Sequence, residues 1–249
     1  MMSGPPDRLH GWRASQEVVP MTIHRQSHTA VDLLGLDHVA LALADPEAMA
    51  AFLCDHVGMH ELARGDGSIT VGAAGPRGAR FELVQADGPR EPGALARLVL
   101  RVSDLRSAVA ALPEGTEVDD DDPEVVRFTG PEGLRLDFTW MIAGIIDYDL
   151  DDVVLHVADS EDVRVALAEV GCVPRGDALH IGDKGISLEE RSRPTDRPLL
   201  DHIAVRVNSV EAVEAQARAR GVEVHEHSGG DAFSIVIPGP ERLRLDFVE

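Results

Sequence analysis

The residues best suited to chemistry lie in two nearly identical five-residue stretches. Leu-Asp-His-Val-Ala at 36–40 contains His38, and Leu-Asp-His-Ile-Ala at 200–204 contains His202. Apolar residues alternate with each histidine and its alanines, which is typical of a strand with one buried face. A carboxylate follows each histidine 44 residues later, Glu82 and Asp246 respectively. Imidazoles and carboxylates transfer protons, bind metal ions or form buried hydrogen-bonded networks, so these four side chains are the candidates for function.

Both stretches belong to a unit that recurs four times. A residue that caps helix N-termini stands at a constant distance after the first strand of each unit, at Asp45, Asp104, Asp159 and Ser209. An acid closes each unit, seven residues after the glycine of a turn, at Glu82, Asp137, Glu189 and Asp246. Two short β-prone runs lie between helix and acid. The unit is therefore predicted to be βαβββ, with copies at 35–86, 94–140, 149–190 and 199–249, after a flexible N-terminal tail at 1–34.

Composition excludes several classes of protein. The net charge of −21 argues against a nucleic-acid partner, because phosphate binding needs a cationic surface. No apolar run approaches the ~20 residues of a membrane helix, so we expect no membrane association. The cysteines, Cys54 and Cys172, are too few for a disulfide framework and fit a reducing cytoplasm. The sequence thus predicts a cytoplasmic protein with a small-molecule partner, either a monomer or a homodimer.

The repeated unit resembles a known superfamily. The opening Leu-Asp-His-Val-Ala, the helix that begins with Asp45-Pro46, and the closing Arg-Phe-Glu-Leu at 80–83 are similar to the vicinal oxygen chelate superfamily. That superfamily includes glyoxalase I, bleomycin-resistance proteins, methylmalonyl-CoA epimerases and extradiol dioxygenases. The resemblance covers 35–249 and implies an α+β fold. In that fold four βαβββ modules pair into two cupped-sheet barrels, and the first and last strands of each module supply metal ligands.

The site that the resemblance implies depends on which modules share a cavity. If the first pairs with the fourth, as in some single-chain glyoxalases, the metal ligands are His38, Glu82, His202 and Asp246. The other cavity then holds a salt-bridged copy of the site, formed by Arg97, Asp137, Asp152 and Glu189. If neighbouring modules pair, as in extradiol dioxygenases, His38 and His202 lie in separate cavities. We favour the first arrangement, because only the first and fourth modules keep both the histidine and the 44-residue interval.

The favoured arrangement implies one divalent metal ion, either zinc, nickel, manganese or iron. It also implies a glyoxalase-like lyase or isomerase that acts on a small, vicinally oxygenated substrate. Glu82 or Asp246 would leave the ion to carry a proton, which makes both carboxylates predicted catalytic residues. An extradiol-type ring-cleaving dioxygenase is the alternative enzyme.

A non-catalytic small-molecule binding or resistance protein of the same fold is the alternative outside enzymes. Arg80, Arg135 and Arg244 each lie two residues before an acid and on the same strand face. In this interpretation the arginines neutralise the acids, and the histidines belong to a hydrogen-bonded network without a metal.

Overall fold

The computed structural model describes residues 33–75, 78, 80–141, 146–227 and 232–249. The flexible tail predicted at 1–34 lies outside these residues, except for Leu33 and Leu34, with which the first strand begins. None of the helices in the described ranges is both long and apolar enough to cross a membrane.

Each module contains one strand, one helix and three further strands. The first module consists of β1 (Leu33–Leu43), α1 (Pro46–Asp55), β2 (His60–Gly65), β3 (Ser68–Gly72) and β4 (Arg80–Gln85). The second consists of β5 (Leu95–Val102), α2 (Leu105–Ala110), β6 (Val118–Asp122), β7 (Val125–Thr129) and β8 (Arg135–Trp140), with a 3-10 turn at Pro131–Gly133 before β8. The third consists of β9 (Asp149–Val157), α3 (Ser160–Glu169), β10 (Val173–Arg175), β11 (Ala178–Ile181) and β12 (Lys184–Glu190). The fourth consists of β13 (Leu200–Val207), α4 (Val210–Ala219), β14 (Val224–Glu226), β15 (Ala232–Val236) and β16 (Arg244–Val248).

The four helices begin at the predicted caps. The Asp45 carboxylate accepts a hydrogen bond from the backbone N–H of Ala48, and Asp104 accepts one from Ser107. Asp159 and Ser209 cap α3 and α4 in the same way. A side-chain acceptor satisfies a backbone donor that the first helical turn leaves unpaired, which is why these residue types mark the helix starts.

The modules pair first with fourth and second with third. One eight-stranded sheet has the order β14-β15-β16-β13-β1-β4-β3-β2, and the other has the order β10-β11-β12-β9-β5-β8-β7-β6. Antiparallel pairs join the modules at the centre of each sheet, β1 with β13 and β5 with β9. The predicted α+β fold and the favoured pairing are confirmed, and the alternative in which neighbouring modules pair is wrong.

Apolar side chains on one face of each sheet form the core. On β1, Val39, Leu41 and Leu43 are fully buried, as the alternation of the sequence predicts. A single cluster of buried apolar residues includes members of both sheets and of all four helices. The Glu132 carboxylate also accepts hydrogen bonds of 2.9 Å from two backbone N–H groups before α1, which ties the second module to the first.

The sequence interpretation was wrong about the acid of the third module. In the other modules the acid of the last strand lies opposite a residue of the first strand, two positions after the histidine or arginine. Glu82 lies opposite Ala40, Asp137 opposite Val99, and Asp246 opposite Ala204. In the third module the corresponding pair is Val154 with Ser187, and Glu189 lies two residues further along, opposite His156. The reason is a tight turn: Gly185, which lies opposite Asp152, is three residues after Gly182, whereas Arg80, which lies opposite His38, is five residues after Gly75.

Candidate metal centre

The two histidines meet at the centre of the first sheet. His38 lies opposite Ala204, and His202 lies opposite Ala40, so the imidazoles are diagonal neighbours on one face. The alanine methyl groups leave room for the rings to approach each other. The Nε2 atoms are 3.1 Å apart, and the ring centroids are 5.2 Å apart with an interplanar angle of 75°. The pairing of β1 with β13 thus joins two residues separated by 164 positions in the sequence.

Glu82 completes a group of three ligand atoms. It lies on β4 next to Ala40, and its Oε2 is 3.3 Å from His38 Nε2. One ligand atom from each of His38, Glu82 and His202 lies within 4.8 Å of the other two. The hydrogen bond with His38 lowers the pKa of Glu82, against the opposing effect of burial, so the group is an anionic carboxylate at neutral pH.

Asp246, the fourth predicted ligand, is close by but bound to an arginine. Its Oδ2 is 3.6 Å from His202 Nε2. Arg244 Nε donates to Asp246 Oδ1 at 2.9 Å, and Arg244 Nη2 donates to Oδ2 at 3.3 Å. His227 Nε2 lies 3.7 Å from the same Oδ2. The structure therefore brings all four predicted residues together, and Arg244 contacts two of them, Asp246 and His202.

Two aspartates that the sequence analysis did not single out orient the histidines. Asp37 Oδ2 accepts a hydrogen bond of 2.9 Å from His38 Nδ1, and Asp201 Oδ2 lies 2.8 Å from His202 Nδ1. Arg206 donates to Asp37 Oδ1 through Nε, at 3.1 Å, and through Nη2. The hydrogen bond with His38 and the Arg206 charge lower the pKa of Asp37 despite its burial. The repeated Asp-His dipeptide was the signal for this second layer of contacts.

Hydrogen bonding fixes the protonation of His38. A carboxylate only accepts, so Nδ1 carries the proton that faces Asp37, and in the neutral ring the Nε2 lone pair points at His202 and Glu82. Burial alone would lower the pKa of His38, but hydrogen bonds to Asp37 and Glu82 outweigh it and raise the pKa to about 9. The surroundings of His38 therefore favour a positive charge at Nε2. A proton supplies that charge when no metal ion is bound.

The two hydrogen-bond partners of His202 Nδ1, Asp201 and Arg244, favour different tautomers of the ring. Its Nδ1 lies 2.8 Å from the acceptor Asp201 and 2.8 Å from the donor Arg244 Nη2. Donation to Asp201 leaves the Nε2 lone pair facing His38, and acceptance from Arg244 places a proton there. The first tautomer is the one that can ligate a metal.

The donor set fits a divalent transition-metal ion. Two ligand atoms that lie ~2.1 Å from one ion at ~90° to each other are ~3.0 Å apart. The distances of 3.1 Å between the imidazole nitrogens and 3.3 Å between His38 and Glu82 are close to this value. Two imidazoles and one carboxylate suit zinc, nickel, manganese or iron.

The second sheet carries ion pairs at the corresponding place. Arg97 occupies the position of the first histidine, with Nε 3.0 Å from Asp137 and Nη1 2.7 Å from Glu189. Asp152 accepts a hydrogen bond from Ser187, and His156 lies 3.4 Å from Glu189. Arginine does not ligate metals, and no group of three ligand residues is found on this sheet within the described ranges. Arg97, Asp137 and Glu189 therefore form the salt-bridged copy expected from the sequence, whereas Asp152, the fourth expected member, is bound to Ser187.

A cavity adjoins the first site beside Arg244. It has a volume of about 440 Å³, and Asp201, Arg242 and Arg244 supply charged groups to its wall. Small-molecule sites commonly occupy 300–1,000 Å³, so the cavity is roughly the size of a small ligand.

One protein-family model matches the first two modules of the chain. Residues 35–139 match the family model described as Glyoxalase/Bleomycin resistance protein/Dioxygenase superfamily. Residues 35–139 belong to this superfamily. The match ends within β8, so the third and fourth modules, including His202, lie outside it. No curated protein matches the sequence.

Solved structures with the same fold match 86–88% of the chain. Glyoxalase I from Zea mays has a TM-score of 0.68 at 14% identity, over 86% of this chain and 92% of that chain. A Bacillus subtilis protein named provisionally as a dioxygenase has a TM-score of 0.66 at 16% identity, over 88% and 86% of the two chains. The cppA protein of Streptococcus pneumoniae has a TM-score of 0.58 at 12% identity, over 88% and 99%. At these identities the similarity establishes a glyoxalase-like fold.

Proposed function

We propose that the protein is a metal-dependent enzyme, a lyase or isomerase acting on a small molecule with neighbouring oxygen atoms. The observation that supports this proposal is the convergence of His38, His202 and Glu82, with the two imidazole Nε2 atoms 3.1 Å apart. The membership of residues 35–139 in a superfamily with glyoxalases adds support.

The residues of the site have separate proposed roles in metal binding and proton transfer. His38, His202 and Glu82 would hold the divalent ion, which when bound would supply Lewis-acid polarisation of a substrate carbonyl. The Glu82 side chain is 31% exposed, which makes it the carboxylate best placed to take a proton from a carbon next to that carbonyl. Asp246, the other predicted catalytic carboxylate, is 6% exposed and bound to Arg244, so it contributes less to proton transfer.

The proposal is tested by metal analysis and proton exchange. We expect about one divalent ion per chain after purification, and deuterium exchange at the carbon next to the carbonyl of an α-hydroxycarbonyl compound, followed by NMR in D2O. His202→Ala is expected to lose both, because one of two imidazole ligands is gone. His180→Ala, on β11 of the second sheet, is the matched control and keeps both. A wild-type protein that binds no metal contradicts the proposal and favours a non-catalytic binding protein.

A ring-cleaving dioxygenase is the second candidate, and one observation favours it. With Asp246 bound to Arg244, the free ligand atoms come from two histidines and one carboxylate. That set is typical of non-haem iron(II) oxygenases, which keep positions of the ion open. The iron(II)-loaded protein would then consume oxygen in the presence of a catechol. Oxygen uptake without proton exchange selects this candidate, and proton exchange without oxygen uptake selects the lyase or isomerase.

A further inference from the structure

Two arginines occupy equivalent places beside the two halves of the site. Arg80 lies opposite His38 in the parallel pair of β1 and β4. The register of β13 with β16, in which Ile203 lies opposite Leu245, puts Arg244 next to His202 in the same way. Each arginine precedes its acid by two residues, so arginine and acid share a face.

The two arginines differ in what they bind. Arg244 donates to both oxygens of Asp246, and its Nη2 also donates to Asp201 at 3.0 Å. Arg80 has no hydrogen bond or ion pair to any side chain in the part of the chain that the structure describes, and Glu82 contacts His38 instead. The Asp246 side chain is only 6% exposed, so water screens its ion pair little.

Asp246 lies within reach of an ion held by the other three residues. Its Oδ2 is 3.6 Å from His202 Nε2, close to the ~3.0 Å that separates two neighbouring ligand atoms of one ion. Its ion pair with Arg244 is therefore the interaction that competes with ligation.

We propose that Arg244 sets the number of protein ligands by keeping Asp246 off the ion. This inference rests on the proposed metal-dependent function. With Arg244 in place the protein offers two histidines and one carboxylate, which leaves about three positions of a six-coordinate ion for substrate and water. Without it, the buried Asp246 carboxylate has lost its cation and ligates the metal, which leaves about two positions.

The test compares metal binding by four variants with the wild type. Manganese(II) affinity is measured by EPR titration, and the number of metal-bound waters by water-oxygen line broadening. Arg244→Met is expected to bind manganese at least ~10-fold more tightly and to lose one bound water. Asp246→Asn is expected to stay within ~3-fold of the wild type. The double variant Arg244→Met/Asp246→Asn should retain the wild-type water count. Arg80→Met is the matched control, with wild-type affinity and water count.

Each outcome separates this inference from the proposed function. If the wild type binds manganese and Arg244→Met shows the same water count, the role of Arg244 is overturned and the metal site stands. An Asp246→Asn variant that loses ~10-fold or more in manganese affinity would also overturn it, because Asp246 would then already be a ligand. Binding by neither the wild type nor Arg244→Met overturns both proposals. Circular dichroism of each variant shows whether it is folded, and the double variant avoids an unpaired buried charge.

Discussion

Replacing Asp37 by Asn tests whether the aspartates before the histidines hold the imidazoles in place. The amide keeps the shape of the side chain and can still accept from His38 Nδ1, but the negative charge is lost. Arg206 simultaneously loses the carboxylate to which it donates through Nε and Nη2. The His38 ring becomes less basic at Nε2 and less firmly oriented toward His202 and Glu82. We expect weaker metal binding in a folded protein.

The size of the effect follows from how far each aspartate is shielded. Loss of a partner that orients a metal-bound histidine typically costs 10–100-fold in metal affinity, about 1.4–2.7 kcal/mol. The Asp37 side chain is 15% exposed, and that of Asp201 is 39% exposed. Because water screens the more exposed charge, we expect Asp37→Asn to lie at ~30–100-fold and Asp201→Asn at ~10-fold.

The assay is a competition titration of the metal-free protein against a coloured chelator, with zinc as the metal. Asp66→Asn, in the exposed turn between β2 and β3, is the control for loss of an aspartate charge. If Asp37→Asn binds zinc within ~2-fold of the wild type while its thermal unfolding is unchanged, the second layer of contacts does not orient the ligands. A larger effect for Asp201→Asn than for Asp37→Asn would show that shielding does not set the magnitude.

Two further predictions concern pH and thiol chemistry. In the metal-free protein the pKa of His38 is raised from 6.5 to about 9, so its charge stabilises the fold fully below pH 6.5 and loses this effect as pH rises through about 9. Urea unfolding should accordingly show a stability difference between wild type and His38→Gln that is largest near pH 6 and shrinks toward pH 10; a difference that grows with pH would contradict the sign. Burial raises the pKa of the Cys172 thiol to about 12, so this thiol should resist iodoacetamide at pH 8 in the folded protein and react in urea. Rapid alkylation of Cys172 in the native state would show that it is not shielded.

Local features of the sequence were sufficient to predict the modules. Alternating apolar residues define the strands, and Asp45 and Ser209 mark helix starts because a helix end needs an acceptor close to it in sequence. His38 and His202 were found because both sit in the same repeated motif and both are followed by an acid at the same interval. These signals involve residues a few positions apart, or repeats that can be compared directly.

Only the tertiary structure decided how the candidate residues combine. Strand alternation is the same whether β1 pairs with β13 or with a strand of the second module, so the meeting of His38 and His202 depends on long-range pairing. The turn at Gly182 shifted Glu189 by two residues, and the only local difference was Gly182-Asp183 in place of the Gly-Pro of the other modules, which does not give the register of the following strand. Arg80 and Arg244 look equivalent in sequence, yet only Arg244 binds its acid, because contacts with Asp201 and His202 hold its guanidinium beside Asp246. Repeats fix where functional groups stand along the chain, whereas the distances between the groups depend on packing between modules.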